Sequence, residues 1–286
     1  MKSIIFFLLF ISVPVLSQVK GIVKDESGNP ISYASISVEN QNIGTTSEEN
    51  GTFSIKAKEG ENLIFSALGF EDKILKSNEV QEVILVKKLF ELEEILIENS
   101  KKNKKTTIGK YSGQKLEYTL GNTGRDNTHI SAKFIRYSEE IRQHPFISTI
   151  EFTTFSHVNN AILRVRIFNV DQRGIPTKDV VNEDILVYVK KGNKNNTVDL
   201  SEYQIKIPEE GIVIGFEYLK LEQNKYFNNV VGQTEEQRQK NFSYEPGIKC
   251  FLGKNKVIFL NKDGSIRNES DLKTNLEIGL KISLTN

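Results

Sequence analysis

Apolar side chains recur at every second position along most of this chain, and that period decides what it can fold into. Leu276, Ile278, Leu280 and Ile282 alternate with Glu277, Gly279, Lys281 and Ser283. The same rhythm runs through Ile150, Phe152 and Thr154, and through Leu163, Val165 and Ile167. It returns in Ile185, Val187 and Val189, and in Ile212, Ile214, Phe216 and Tyr218. Successive side chains of a strand leave opposite faces, so this period gives each strand one dry face and one wet face. Such strands pair antiparallel and stack their dry faces, whereas strands of a parallel α/β sheet are apolar on both. From Tyr111 onward the expected fold is therefore an antiparallel β-sandwich, jelly-roll-like in outline.

The N-terminal quarter follows the same logic with shorter strands. Gly21 to Lys24 reads as a strand, and Asp25 to Pro30 as a turn in which Asp bonds its own backbone, Gly allows positive φ and Pro fixes the exit. Ala34, Ile36 and Val38 share one strand face, with Ser35, Ser37 and Glu39 on the other. Asn50-Gly51 is a strong hairpin signal, after which Phe53, Ile55 and Ala57 point inward. Leu63, Phe65 and Ala67, then Ile74, then Val83 and Leu85 complete about seven short strands, the spacing of a β-sandwich.

The order of these residues resembles a known family. Gly21-x-Val23-x-Asp25-x-x-Gly28-x-Pro30, Ala34-x-Ile36-x-Val38, Gly44-Thr45-Thr46, Asn50-Gly51-x-Phe53 and Leu63 to Phe70 are similar to the carboxypeptidase-regulatory-like domain. The resemblance implies a transthyretin-like sandwich, common in exported proteins of Bacteroidetes and at the N-terminus of TonB-dependent outer-membrane receptors. Ser47-Glu48 departs from the Thr-Asp that the family often places before the turn. FELEEILIENS, Phe90 to Ser100, resembles the segment that follows this domain in those receptors. The run from Leu163 to Leu219, with VDLSEYQIKIP in its centre, is similar to a C-terminal sandwich of Bacteroidetes proteins of unassigned function, for which no catalytic residues are known.

The chain opens like an export signal: Lys2, an apolar run from Ile4 to Leu16, and a small-residue junction at Val15-Leu16-Ser17. That run is too short to span a bilayer comfortably, for which about 20 residues are needed. The expected layout is a signal at 1–17, a small sandwich at 18–88, a linker at 89–110 that includes a basic stretch, Lys101 to Lys105, and a larger sandwich at 111–286. No later segment is apolar enough to cross a membrane as a helix. Lys and Arg number 38 against 37 Asp and Glu, so no global field points to nucleic acid or to an anionic membrane. Cys250, the single cysteine, cannot form an internal disulfide and reads as a buried small hydrophobe.

Catalytic constellations are hard to assemble from these residues. A zinc peptidase would need His-x-x-Glu and a distant His, and none of His129, His144 or His157 is followed by Glu three residues later. No Gly-x-Ser-x-Gly elbow occurs, and phosphate-binding glycine loops are missing. The adjacent pairs Glu139-Glu140 and Glu209-Glu210 would point to opposite faces of a strand. Asp25-x-Ser27 and Asn261-x-Asp263-Gly264 offer oxygens near glycines but lack the carboxylates of a calcium loop, and read as turns. No cofactor is expected. Asp171 to Pro176 repeats the Asp-x-x-Gly-x-Pro turn of the first sandwich, as shared turn chemistry.

Ligand contact is easier to imagine. Tyr226-Phe227 and Phe242-x-Tyr244 lie in polar stretches, and Tyr226, Phe227 and Tyr244 could form a small aromatic platform for a sugar or peptide, although the chain has no Trp. The expected protein is exported, non-catalytic and all-β, located in the periplasm, at the outer membrane or outside the cell. It would act as a binding or scaffold protein toward an envelope protein or surface ligand, through loops or an edge strand. The alternatives are a carbohydrate- or peptide-binding module, and a hydrolase if a histidine converges with carboxylates or Cys250 in the second sandwich.

Overall fold

The computed structural model describes residues 17–88, 105–110, 116–122, 129–228, 230, 232–267 and 275–286. Apart from Ser17 and Lys105, the expected export signal, FELEEILIENS and the basic stretch lie outside the described residues.

Seven strands build the first unit: β1 (Ser17–Asp25), β2 (Ser35–Val38), β3 (Gly44–Thr46), β4 (Thr52–Ala57), β5 (Asn62–Ser66), β6 (Lys73–Lys76) and β7 (Glu82–Leu85). They form a three-stranded sheet, β4-β1-β7, and a four-stranded sheet, β3-β2-β5-β6. All pairs are antiparallel except β1 with β7, which brings Val23 beside Val83. The alternating residues close the space between the sheets, where Ile36, Val38, Phe53, Ile55, Leu63, Phe65, Val83 and Leu85 are buried in one cluster. Phe53 and Phe65 meet edge to face with centroids 5.5 Å apart, the geometry favoured by their ring quadrupoles. Gly51, at φ +77°, could not be replaced cheaply: a Cβ there would lie 2.6 Å from the Val23 carbonyl oxygen.

The second unit contains β8 (Thr106–Lys110), β9 (Tyr118–Asn122), β10 (Ile130–Ile135), α1 (Glu139–Gln143), β11 (Phe146–Ser156), β12 (Ala161–Val170), β13 (Pro176–Asp179), β14 (Ile185–Val189), β15 (Gly192–Asp199), β16 (Ile212–Tyr218), β17 (Lys225–Phe227), α2 (Glu235–Lys240), β18 (Phe242–Leu252), β19 (Ile258–Leu260), β20 (Leu276–Ile278) and β21 (Leu280–Thr285). A six-stranded sheet is built on β12, β16 and β10, and an eight-stranded sheet on β18, β11 and β21, with every pairing among the described residues antiparallel. Their facing sides hold the largest core, in which Phe152 of β11 meets Phe216 of β16 at 4.7 Å. Cys250 is buried there too. β8, formed from the end of the stretch read as linker, pairs with β21.

Three turns share one hydrogen-bond plan. In Asp25 to Asn29, Asp171 to Ile175 and Asn261 to Ser265, the first residue donates its N–H to the carbonyl of the fifth and accepts from the N–H of the fourth, a glycine at positive φ. Asp25 and Asp171 each also accept two backbone N–H bonds on Oδ1. The oxygens that hinted at calcium are thus used in closing turns.

One expectation fails. Strands β12 and β16 were to have a wet face, yet nine of the ten β12 residues and all seven of β16 are buried. Leu163, Val165, Ile167, Ile214, Phe216 and Tyr218 point into the large core. On the opposite face Phe168 and Val213 join a second cluster with Ile130 and Leu260, while Ile162 and Leu219 pack with Tyr33. The reason is the N-terminal sandwich, which covers part of that outer face and dries the charged residues between those clusters. The pair Glu139-Glu140 occupies the first turn of α1, after a Ser138 cap.

Candidate functional site

Two places in the fold gather chemically capable side chains. The first is the joint between the sandwiches. Arg164 and Arg166 of β12 stand on its outer face beside Glu217 of β16, with Lys262 arriving from the turn after β19. Glu217 Oε2 lies 3.2 Å from Arg164 Nη1 and 3.8 Å from Arg166 Nη1, and its Oε1 lies 3.6 Å from Lys262 Nζ. Asp184 and Asp179 complete the cluster: Arg164 Nε is 2.9 Å from Asp184 Oδ1, and Arg166 Nε donates to Asp179 Oδ1 at 2.9 Å. Burial would raise the Glu217 carboxyl, but Arg164, Lys262 and Arg166 overcome it and hold the group at about 2. Burial pulls the Lys262 amine down to about 8 against the attraction of Glu217.

These cations grip the N-terminal sandwich by its main chain. Arg164 Nη2 donates to the Tyr33 carbonyl at 2.6 Å, Lys220 Nζ to that of Gly44 at 2.9 Å, and Lys262 Nζ to that of Thr45 at 3.2 Å. Two backbone amides cross the joint in the same sense, Lys220 to Thr46 Oγ1 at 3.2 Å and Glu222 to Glu48 Oε1 at 3.1 Å. Clefts of about 700 and 310 Å³ flank the joint, and Arg164 and Gly69 line both.

The second place is the β17–β18 hairpin, where the aromatic residues singled out from sequence are found. Phe227 pairs directly with Phe242, and Lys225 with Tyr244, so these four share one face. Phe227 and Phe242 are 6.0 Å apart, Phe242 and Tyr244 meet edge to face at 5.6 Å, and Lys225 Nζ sits 4.6 Å from the Phe242 ring. Phe227 is 43% exposed. Tyr226 pairs with Ser243 and leaves by the other face, where its ring stacks on His157 at 4.1 Å. His157 Nδ1 lies 2.8 Å from the buried Glu245 Oε1, which fixes the imidazole in place. The three platform residues are thus divided: Phe227 and Tyr244 are joined through Phe242, and Tyr226 belongs to the His157 group.

The three histidines do not converge. His129 lies between Tyr218 and Phe259, at 5.2 and 5.6 Å, and His144 caps α1. Burial takes the Cys250 thiol up to about 12, which makes it a poor nucleophile. Among the described residues no group of three or more His, Cys, Asp or Glu side chains is arranged to hold a metal, and no helix is long and apolar enough to cross a membrane. The ion cluster escaped the reading of the sequence. Its signal was present in Ile162 and Phe168, apolar residues on the supposedly wet side of β12.

The fold defines an all-β protein built of two sandwiches. Residues 19–97 match the CarboxypepD_reg-like domain, so the first sandwich is a domain of that kind. The chain is 32% identical over 92 residues to the TonB-dependent receptor SusC of Bacteroides thetaiotaomicron, a match to 31% of this chain and 9% of that receptor. The chain therefore corresponds to about a tenth of that relative's length. A likeness to the structure of infectious bursal disease virus Gx strain covers 93% of this chain and 62% of that one at 10% identity, with a TM-score of 0.27, too low to speak for a shared fold.

Proposed function

We propose that this is an exported, non-catalytic binding or scaffold protein of the cell envelope, which presents the β17–β18 hairpin on a rigid pair of sandwiches. An export signal at 1–17 and a linker from 89 up to the start of β8 belong to the same proposal. The observation that carries it is the face of Lys225, Phe227, Phe242 and Tyr244. Rigid rings beside a cation are the composition of interface anchors, because they offer large contact area at little entropic cost. The CarboxypepD_reg-like domain and the match to a TonB-dependent receptor support an envelope setting. The experiment is cross-linking of the tagged full chain in an envelope fraction, beside the Phe227→Ala chain. A protein partner retained by the wild type and reduced about ten-fold by F227A is expected, the loss of one anchor residue. A strong glycan-array signal without any protein partner would overturn it in favour of carbohydrate. The same hairpin also favours a peptide reading: among the described residues β17 pairs only with β18, leaving an edge for strand addition.

A further inference from the structure

We propose that the joint is a releasable latch: protonation of Glu217 frees the N-terminal sandwich from the six-stranded sheet while both sandwiches stay folded. Its construction differs from that of the cores. The two largest apolar clusters each lie wholly within one sandwich, whereas the cluster that spans the joint consists of Tyr33 with Ile162, Leu219 and Leu221. The remaining grip is polar, and two of its three cations, Arg164 and Lys262, hold Glu217 as well as a carbonyl of the N-terminal sandwich. Opening therefore uncovers little apolar surface and hydrates buried ions, the conditions for sub-global opening below the cost of unfolding.

The groups facing Glu217 are Arg164 and Arg166 from β12 and Lys262 from the turn after β19, with Asp184 from the loop before β14 and Asp179 from β13 behind the arginines. Lys88 and Asp72 of the N-terminal sandwich line the same cleft, as do Lys178 of β13 and Asp263 of the turn after β19. The closed joint holds Glu217 at about 2, well below the ordinary carboxylate range. In the closed state it therefore binds its proton less readily than in the open state. The closing force is full above the open-state value and is lost as pH falls toward the closed one. With Glu217 neutral, the cations outnumber their carboxylate partners in a dry site and are better hydrated apart.

Amide exchange reads this directly, because the Lys220 and Glu222 amides bond across the joint while those of β1 and β4 bond within the N-terminal sandwich. In the full chain at neutral pH, Glu217→Gln is expected to speed Lys220 and Glu222 exchange by at least about ten-fold with β1 and β4 still protected. Unchanged exchange at those two amides, or loss of β1 and β4 protection in the same step, would overturn the latch. Should E217Q fail to fold, Glu48→Gln removes the carboxylate that accepts the Glu222 amide and leaves Glu217 in place. The E48Q chain titrated from neutral pH downward should then release the Lys220 amide, and a flat response into the fully protonated range would sink the proposal.

Discussion

Arg164 and Glu217 stand directly opposite one another across the β12–β16 pair, their Nη1 and Oε2 atoms 3.2 Å apart and their side chains 6% and 1% exposed. A cross-strand ion pair of this kind cannot lose one member gently. Arg164→Met would leave Glu217 with one charge partner fewer and the Tyr33 carbonyl without its donor. The expected cost is about 3–5 kcal/mol in urea denaturation. Adding Glu217→Gln to that background should cost much less than the same change made alone, since the stranded charge is already gone. Strict additivity of the two would contradict the coupling.

His129 gives the protein a second acid dependence. Its imidazole packs between Tyr218 and Phe259, and burial, with Arg267 and Lys220 nearby, lowers it to about 4. Between that value and its ordinary one the unfolded chain holds a proton that the folded chain refuses. Stability therefore rises with pH across this window and is lost on acidification through it, by at most about 3 kcal/mol. Denaturation at a series of pH values should show that slope, and His129→Phe should flatten it.

What the sequence disclosed and what it hid divide along one physical line. The strands of β1 to β7 and the turns at Asp25, Asn50-Gly51 and Asp171 rest on neighbours in the chain, so alternation and turn chemistry reveal them. Arg164 and Arg166 looked like wet-face residues because the groups that cover them are distant in the chain: Tyr33 lies 131 residues before Arg164, and Lys262 lies 96 residues after Arg166. No local period carries that information. The hairpin failed in a subtler way: Tyr226 and Phe227 are adjacent, but once they lie in a strand they must face apart.

Asn224 is a fully buried amide that staples the end of β16 to the start of β12. Its Oδ1 accepts from the Ile162 N–H at 2.8 Å, and its Nδ2 donates to the Ile162 and Leu219 carbonyls at 2.8 and 2.9 Å. Asn224→Leu would orphan three backbone groups at once in a dry site. A loss of about 3 kcal/mol or more in thermal or urea unfolding is expected. A neutral result would mean that water replaces the amide.

The divided hairpin makes its own prediction about binding. Phe227 and Tyr226 are sequence neighbours of similar size, yet Phe227 faces out with Phe242 and Tyr244 while Tyr226 is stacked on His157. Phe227→Ala removes a half-exposed ring, so stability should move by no more than about 1 kcal/mol while partner capture falls steeply. Tyr226→Ala removes the platform on which His157 lies and leaves the imidazole held by Glu245 alone among its described polar partners. That change should move the His157 ring chemical shifts measured by NMR while sparing partner capture, because the ring lies on the other face of the sheet. Equal loss of capture in both variants would show that the ligand wraps the strand edge and touches both faces, as an added β-strand would.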